Sequence, residues 1–102
     1  MLLSMSERLL LLDMLPTRST LSIICAVRDM RLLLGFTAEE IGESDLRKDG
    51  DVIVWAKEVG EIDIPMDDVT HEIIKNRLGQ LDEAGEVTDE HVSLYQKFGL
   101  IG

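Results

Sequence analysis

Asp67, Asp68, His71 and Glu72 crowd one short stretch, and Asp67 and His71 stand four residues apart, the spacing that sets two side chains on one face of a helix. A carboxylate and an imidazole so placed are two ligands of a divalent cation. A zinc site of the HExxH kind needs a second histidine in the segment, and none is there. An exposed helix cap beside a histidine is the expected role. His91 and Ser93 are the next pair with reactive side chains, but positions i and i+2 of a helix do not face each other, so the imidazole cannot activate the hydroxyl. The single cysteine, Cys25, lies in an apolar run of a predicted helix. It can form no internal disulfide, and a buried, inert thiol in a reducing compartment is expected. The eight glycines are scattered as turns and helix stops and are not gathered into a phosphate loop. The expectation is a protein without catalysis: no catalytic residues, no cofactor and no metal.

The remaining chemistry is that of surfaces. In the run Val52, Ile53, Val54, Trp55 both faces of a strand are apolar, so one face covers the helices and the other needs a cover. Trp55 is the single tryptophan, and an exposed tryptophan is a natural interface anchor. Leu9, Leu10, Leu11 and Leu12 cover every side of a helical turn, because neighbours lie about 100° apart. Trp55, Val52, Val54 and these four leucines are the predicted contact residues, for a second copy of the chain or for another protein.

Charge points the same way. After Phe36 the chain carries 17 carboxylates against six Lys or Arg, within a formal net charge of −10 over 102 residues. Such a field repels phosphate backbones and anionic lipids, so direct nucleic-acid or membrane-surface binding is disfavoured. A basic protein partner suits it. So does imitation of DNA by Glu39, Glu40, Glu43, Asp45, Asp49, Asp51, Glu58, Glu61 and Asp63, which would make the chain an inhibitor of a nucleic-acid-binding protein; a solvated, aggregation-resistant edge accounts for the same residues. The leucine-rich start lacks a cationic opening and meets Asp13 after four leucines. It suits neither a signal peptide nor a membrane span, and a cytoplasmic protein is expected.

The elements that must position these residues follow from caps and periodicity. Ser4 and Glu7 form a capping box for a helix over 5–14 that Pro16 ends. Thr17 or Ser19 caps a second helix reaching Leu34, with Ile23, Ile24, Val27, Met30 and Leu34 at core spacing and Gly35 as a left-handed stop. Thr37 and Glu40 open a short third helix ending near Gly42. Asp49-Gly50 between residues 46–48 and 52–55 reads as a hairpin, and the alternation of residues 61–64 adds a third strand. Asp67 or Asp68 starts a helix to about Glu83 with Val69, Ile73, Ile74, Leu78 and Leu81 on its apolar side. Thr88 caps a last helix to about Phe98, in which Val92, Tyr95 and Phe98 dock on the core, and residues 99–102 are left as a loose end. The prediction is one α+β domain over residues 1–102, ordered α-α-(α)-β-β-β-α-α, with helices flanking a three-stranded antiparallel sheet.

The segments LLPTRSTLSIICAVRDMRLLLGFTAEEI and EIDIPMDDVTHEIIKNRLGQLDEAGEVTDEHVSLYQKF carry a further signal. With the start ending in LP, the Arg28-Asp29 to Arg31 helix, the F-T-x-E-E turn at Phe36 to Glu40, the strand bearing Trp55 and the closing L-Y-x-K-F, the chain resembles a family of small proteins encoded by tailed phages and prophages. The resemblance implies a phage accessory protein in the bacterial cytoplasm. It carries no activity and no catalytic residue with it.

Overall fold

In the computed structural model, which describes residues 1–101, the elements run β1 (Leu2–Leu3), α1 (Met5–Met14), α2 (Leu21–Leu34), α3 (Ala38–Ser44), β2 (Arg47–Asp49), β3 (Val52–Val54), β4 (Ile62–Asp63), α4 (Asp68–Ala84) and α5 (Val92–Lys97). A 3-10 turn over Asp89–His91 leads into α5. The mixed helix and strand class matches the sequence reading.

The caps explain where the helices begin. The Glu7 amide donates to Ser4 Oγ at 3.2 Å and the Ser4 amide to Glu7 Oε1 at 2.9 Å, which satisfies two otherwise orphaned donors. Thr37 and Glu40 repeat the arrangement for α3 at 3.1 Å in both directions. Thr20 caps α2, in place of Thr17 or Ser19, by accepting from the Ile23 amide. Gly35 is extended (φ −62°) and not left-handed, because the chain runs straight on to the Thr37 cap. The left-handed stop falls instead on Asp45 (φ 55°), so α3 continues through Gly42.

The three-stranded sheet is corrected to two separate two-stranded antiparallel ribbons, β1 with β4 and β2 with β3. After Trp55 the chain folds back: the Ala56 and Lys57 amides both donate to the Ser44 carbonyl at 2.9 and 3.1 Å. That hook keeps β3 from running on toward β4. β4 pairs instead with the N-terminal residues, Leu2 opposite Asp63 and Leu3 opposite Ile62, and the Ile64 amide donates to the Met1 carbonyl at 2.8 Å. The hairpin itself stands as predicted, one residue out of phase. Asp49 pairs with Val52, so Gly50 and Asp51 form the turn, and Gly50 alone takes a positive φ, 64°, as in a type II′ turn.

One core gathers Leu3, Leu11 and Met14 with Val27, Met30 and Leu34 of α2, Ile74 and Leu78 of α4, and Leu94, Tyr95 and Phe98 at the C-terminal end. Val69 and Val92, expected inside, are exposed, and Leu94 takes the inner position on α5. Two polar ties lock the helices. The Tyr95 hydroxyl donates to the Leu78 carbonyl at 2.5 Å, and Arg77 Nε donates to the Met14 carbonyl at 2.7 Å. The expected loose end is also corrected in part: Gly99 adopts φ 73° and the Leu100 amide donates to the Tyr95 carbonyl at 2.9 Å, closing α5 in the manner of a Schellman cap. Gly102 lies outside the described residues.

Candidate functional site

Helix α1 decides what can face outward near the hairpin. Met5, Arg8, Leu11 and Met14 are buried, so the opposite side of the same turns presents Ser6, Leu9, Leu10 and Asp13. The β2–β3 hairpin brings Val52, Ile53 and Trp55 against that side. Between them lies a groove of about 510 Å³, lined also by Glu90 of the 3-10 turn and Ser93 of α5. Its apolar surface is Leu9, Leu10, Val52, Ile53 and Trp55, and its exposed charged rim is Asp13 and Glu90, with the buried Glu7 behind them. Val52 and Ile53 are 60% and 41% exposed, unusual for β-branched residues with no subsequent cover. The Trp55 indole Nε1 donates to Glu58 Oε2 at 3.0 Å, which holds the ring half-buried at the edge of the groove.

Four of the seven predicted contact residues, Trp55, Val52, Leu9 and Leu10, converge there. Leu11 is corrected, and Leu12 and Val54 stand apart from the groove. Leu11 is fully buried in the core, Leu12 is half-buried and packs against it, and Val54 is half-buried without lining the groove. The reason is the helical step itself, since a run of four leucines cannot turn all four to one side. Ile53, Ser6, Asp13 and Glu90 were not singled out. Ile53 was legible, because strand alternation places it on the same face as Trp55. Glu90 was not, because it reaches the site from the far end of the chain.

Beneath the groove two charged clusters fix the frame. Lys97 donates to the Leu2 carbonyl at 2.7 Å, to Glu7 Oε1 at 2.6 Å and to Glu61, while Ser93 Oγ donates to Glu7 Oε2 at 2.8 Å. Burial alone would push the Glu7 carboxyl up, but Lys97, the Ser4 amide and Ser93 together hold it below its ordinary value. On the other side Arg8, with no exposed surface, pairs through both terminal nitrogens with Glu40, at 3.1 Å for one of them, and lies 4.4 Å over the Phe36 ring. The Arg8 guanidinium holds the Glu40 carboxyl low, against the opposing effect of burial.

The other reactive residues are committed elsewhere. Asp67 Oδ1 accepts from the Thr70 amide at 2.8 Å as the cap of α4, and His71 is half-buried with its ring 4.9 Å from that of Phe98. No cluster of three metal-ligating side chains exists among the described residues. His91 Nδ1 accepts from the Thr88 amide at 3.0 Å, whereas Ser93 is bound to Glu7. Cys25 is corrected from core to surface: Val27, Met30 and Leu34 define the inner side of α2, and Cys25 faces solvent on the outer one.

No helix among the described residues is long and apolar enough to cross a membrane. Comparison with family models, with curated proteins and with solved structures finds no match to this chain.

Proposed function

We propose that this chain is a non-catalytic accessory protein, of phage origin and cytoplasmic, that works by binding a protein segment in the groove between α1 and the β2–β3 hairpin. The observation that carries the reading is the convergence of Leu9 and Leu10 with Val52, Ile53 and Trp55, residues more than forty positions apart, on one apolar groove with an acidic rim. An apolar floor supplies affinity and a charged rim selects the partner. Asp13 and Glu90 are exposed carboxylates at that rim, so the segment it takes is apolar and cationic.

The DNA-mimic alternative draws no support from this arrangement. Glu40 is consumed by Arg8, and Arg47 and Lys48 interrupt the carboxylates of the hairpin.

Trp55 is its own reporter, as the one tryptophan of the chain. Titration with a synthetic amphipathic helix of Leu and Arg should shift its emission to the blue, and the same helix with Glu for Arg should leave it unmoved. The Trp55→Ala and Val52→Arg variants should keep the helical circular dichroism and, by calorimetry, lose at least tenfold in affinity. Equal response to both peptides, or unchanged affinity in both variants, would end the groove reading.

A further inference from the structure

The outer face of α2 is the second unpartnered surface, and its chemistry is opposite to that of the groove. Leu21, Cys25, Arg28 and Leu32 succeed one another at spacings of four, three and four, the stripe that meets another structure along one side of a helix. Leu21 and Leu32 are 79% and 83% exposed, and they stand about 16 Å apart along the axis. Cys25, Arg28, Asp29, Arg31 and Leu32 line a shallow depression there. None of the ion pairs among the described residues uses Arg28 or Arg31. On a molecule with ten more acidic than basic residues, this is a face where two arginines stand with leucine beside a single carboxylate, Asp29, and form no ion pair with it.

We infer that the groove is filled by this α2 face from a second copy of the chain, giving a head-to-tail assembly; the inference rests on the groove reading above. Charge selects this pairing over the symmetric one. Two α2 faces laid together would gather four arginines against two aspartates, an excess of like charge, and two grooves would set acidic rims against each other. The α2 face in the groove puts Leu32 and its neighbours on the apolar floor, with Arg28 and Arg31 toward Asp13 and Glu90. The two surfaces share no residue, so one molecule can offer its α2 face to one neighbour and its groove to another. A contact between unlike surfaces repeats, and closes into a ring or continues as a filament according to the rotation it imposes.

Two surface variants and their mixture test it by light scattering behind a sizing column. Leu32→Glu places a carboxylate on the α2 face, and Val52→Arg places a cation at the groove; both positions are exposed, so both variants should fold. Wild type should exceed monomer mass. Each variant alone should be a monomer, and the equimolar mixture should give a 1:1 dimer and nothing larger, because only one intact pairing remains. Alkylation of wild-type Cys25 should slow at least threefold as protein concentration rises through assembly. Continued association of Val52→Arg alone would mean paired α2 faces, and continued association of Leu32→Glu alone would mean paired grooves; either overturns the inference. A wild-type monomer at every concentration overturns it too. If the Leu and Arg peptide still binds in that case, the groove reading stands and only its occupant was wrong.

Discussion

Arg8 is the costliest residue to bury in this chain, and its neighbours show how the cost is met. Glu40 takes both terminal nitrogens and Phe36 takes one face of the guanidinium, while Nε is left without a partner. Removing one member of a buried pair costs about 3–5 kcal/mol, because the other charge stays inside uncompensated. Glu7 and Glu40 both titrate below their ordinary 4.5 in the folded protein. Their stabilisation is therefore complete above pH 4.5 and is lost as the pH falls through the lowered folded values. Lys97 and Tyr95 are raised from 10.5 and 10.0, so what they contribute is present below those values and disappears as the pH rises through the higher folded ones. Urea midpoints across the pH range should thus show a plateau that falls away on both sides. In Glu40→Gln the plateau should be lower and the acid limb shallower. An acid limb of wild-type steepness in that variant would mean that the Arg8 pair contributes nothing to it.

At the scale of elements, α4 offers a matched pair of glycines with opposite expectations. Gly79 lies within the helix and a Cβ added there meets no atom within 4 Å, so the site is open. Gly79→Ala should stabilise by about 0.5–1 kcal/mol through the helix propensity that glycine forfeits. Gly85 ends the same helix at φ 69°, with its amide bonded to the Leu81 and Asp82 carbonyls. There the space is equally open, but the conformation is one that a side chain opposes, and Gly85→Ala should destabilise by about 1 kcal/mol. Thermal and urea unfolding of the two variants should move in opposite directions. A shared sign would mean that the αL cap is not what stops α4. The hairpin is held differently. The two hydrogen bonds that the Ala56 and Lys57 amides donate to the Ser44 carbonyl tie its base to α3, which sets Val52, Ile53 and Trp55 beside α1.

For the molecule as a whole, charge and burial divide the surface. A net charge of −10 makes the molecule acidic on balance, while Arg28 and Arg31 stand on the outer face of α2 and the apolar groove lies between α1 and the hairpin. Association between unlike charged surfaces is weakened by salt, because the Debye length shrinks from about 10 Å at 0.1 M to about 3 Å at 1 M. Association by apolar burial alone is not weakened in that way, and sulfate strengthens it. Assembly mass should therefore fall between 0.05 and 0.5 M sodium chloride at constant protein concentration. Mass that holds or rises with salt would mean that apolar contact carries the assembly and that the acidic exterior serves solubility.

Helix placement was determined by residue type and spacing within the chain. Ser4 with Glu7, Thr37 with Glu40, and Asp67 before a run of apolar residues specify helix starts through bonds that span three positions, and Asp49-Gly50 announces a hairpin for the same local reason. The residues that line the groove were legible in part, because β alternation and the leucine run marked surplus apolar surface. What sequence spacing does not encode is which surplus meets which. Two-residue strands such as β1 carry no period, so the pairing of Leu2 and Leu3 with Ile62 and Asp63 arises only once the chain has closed on itself. The same closure sends Leu11 into the core and leaves Leu9 and Leu10 half-buried at the groove, and it turns Cys25 outward although its neighbours are apolar. The groove belongs to that level. Its walls come from residues 4–13, 52–55 and 90–93, and they become one site because α1 packs on α2 and on the 3-10 turn while the Ser44 carbonyl holds the base of the hairpin, an arrangement that no single segment specifies.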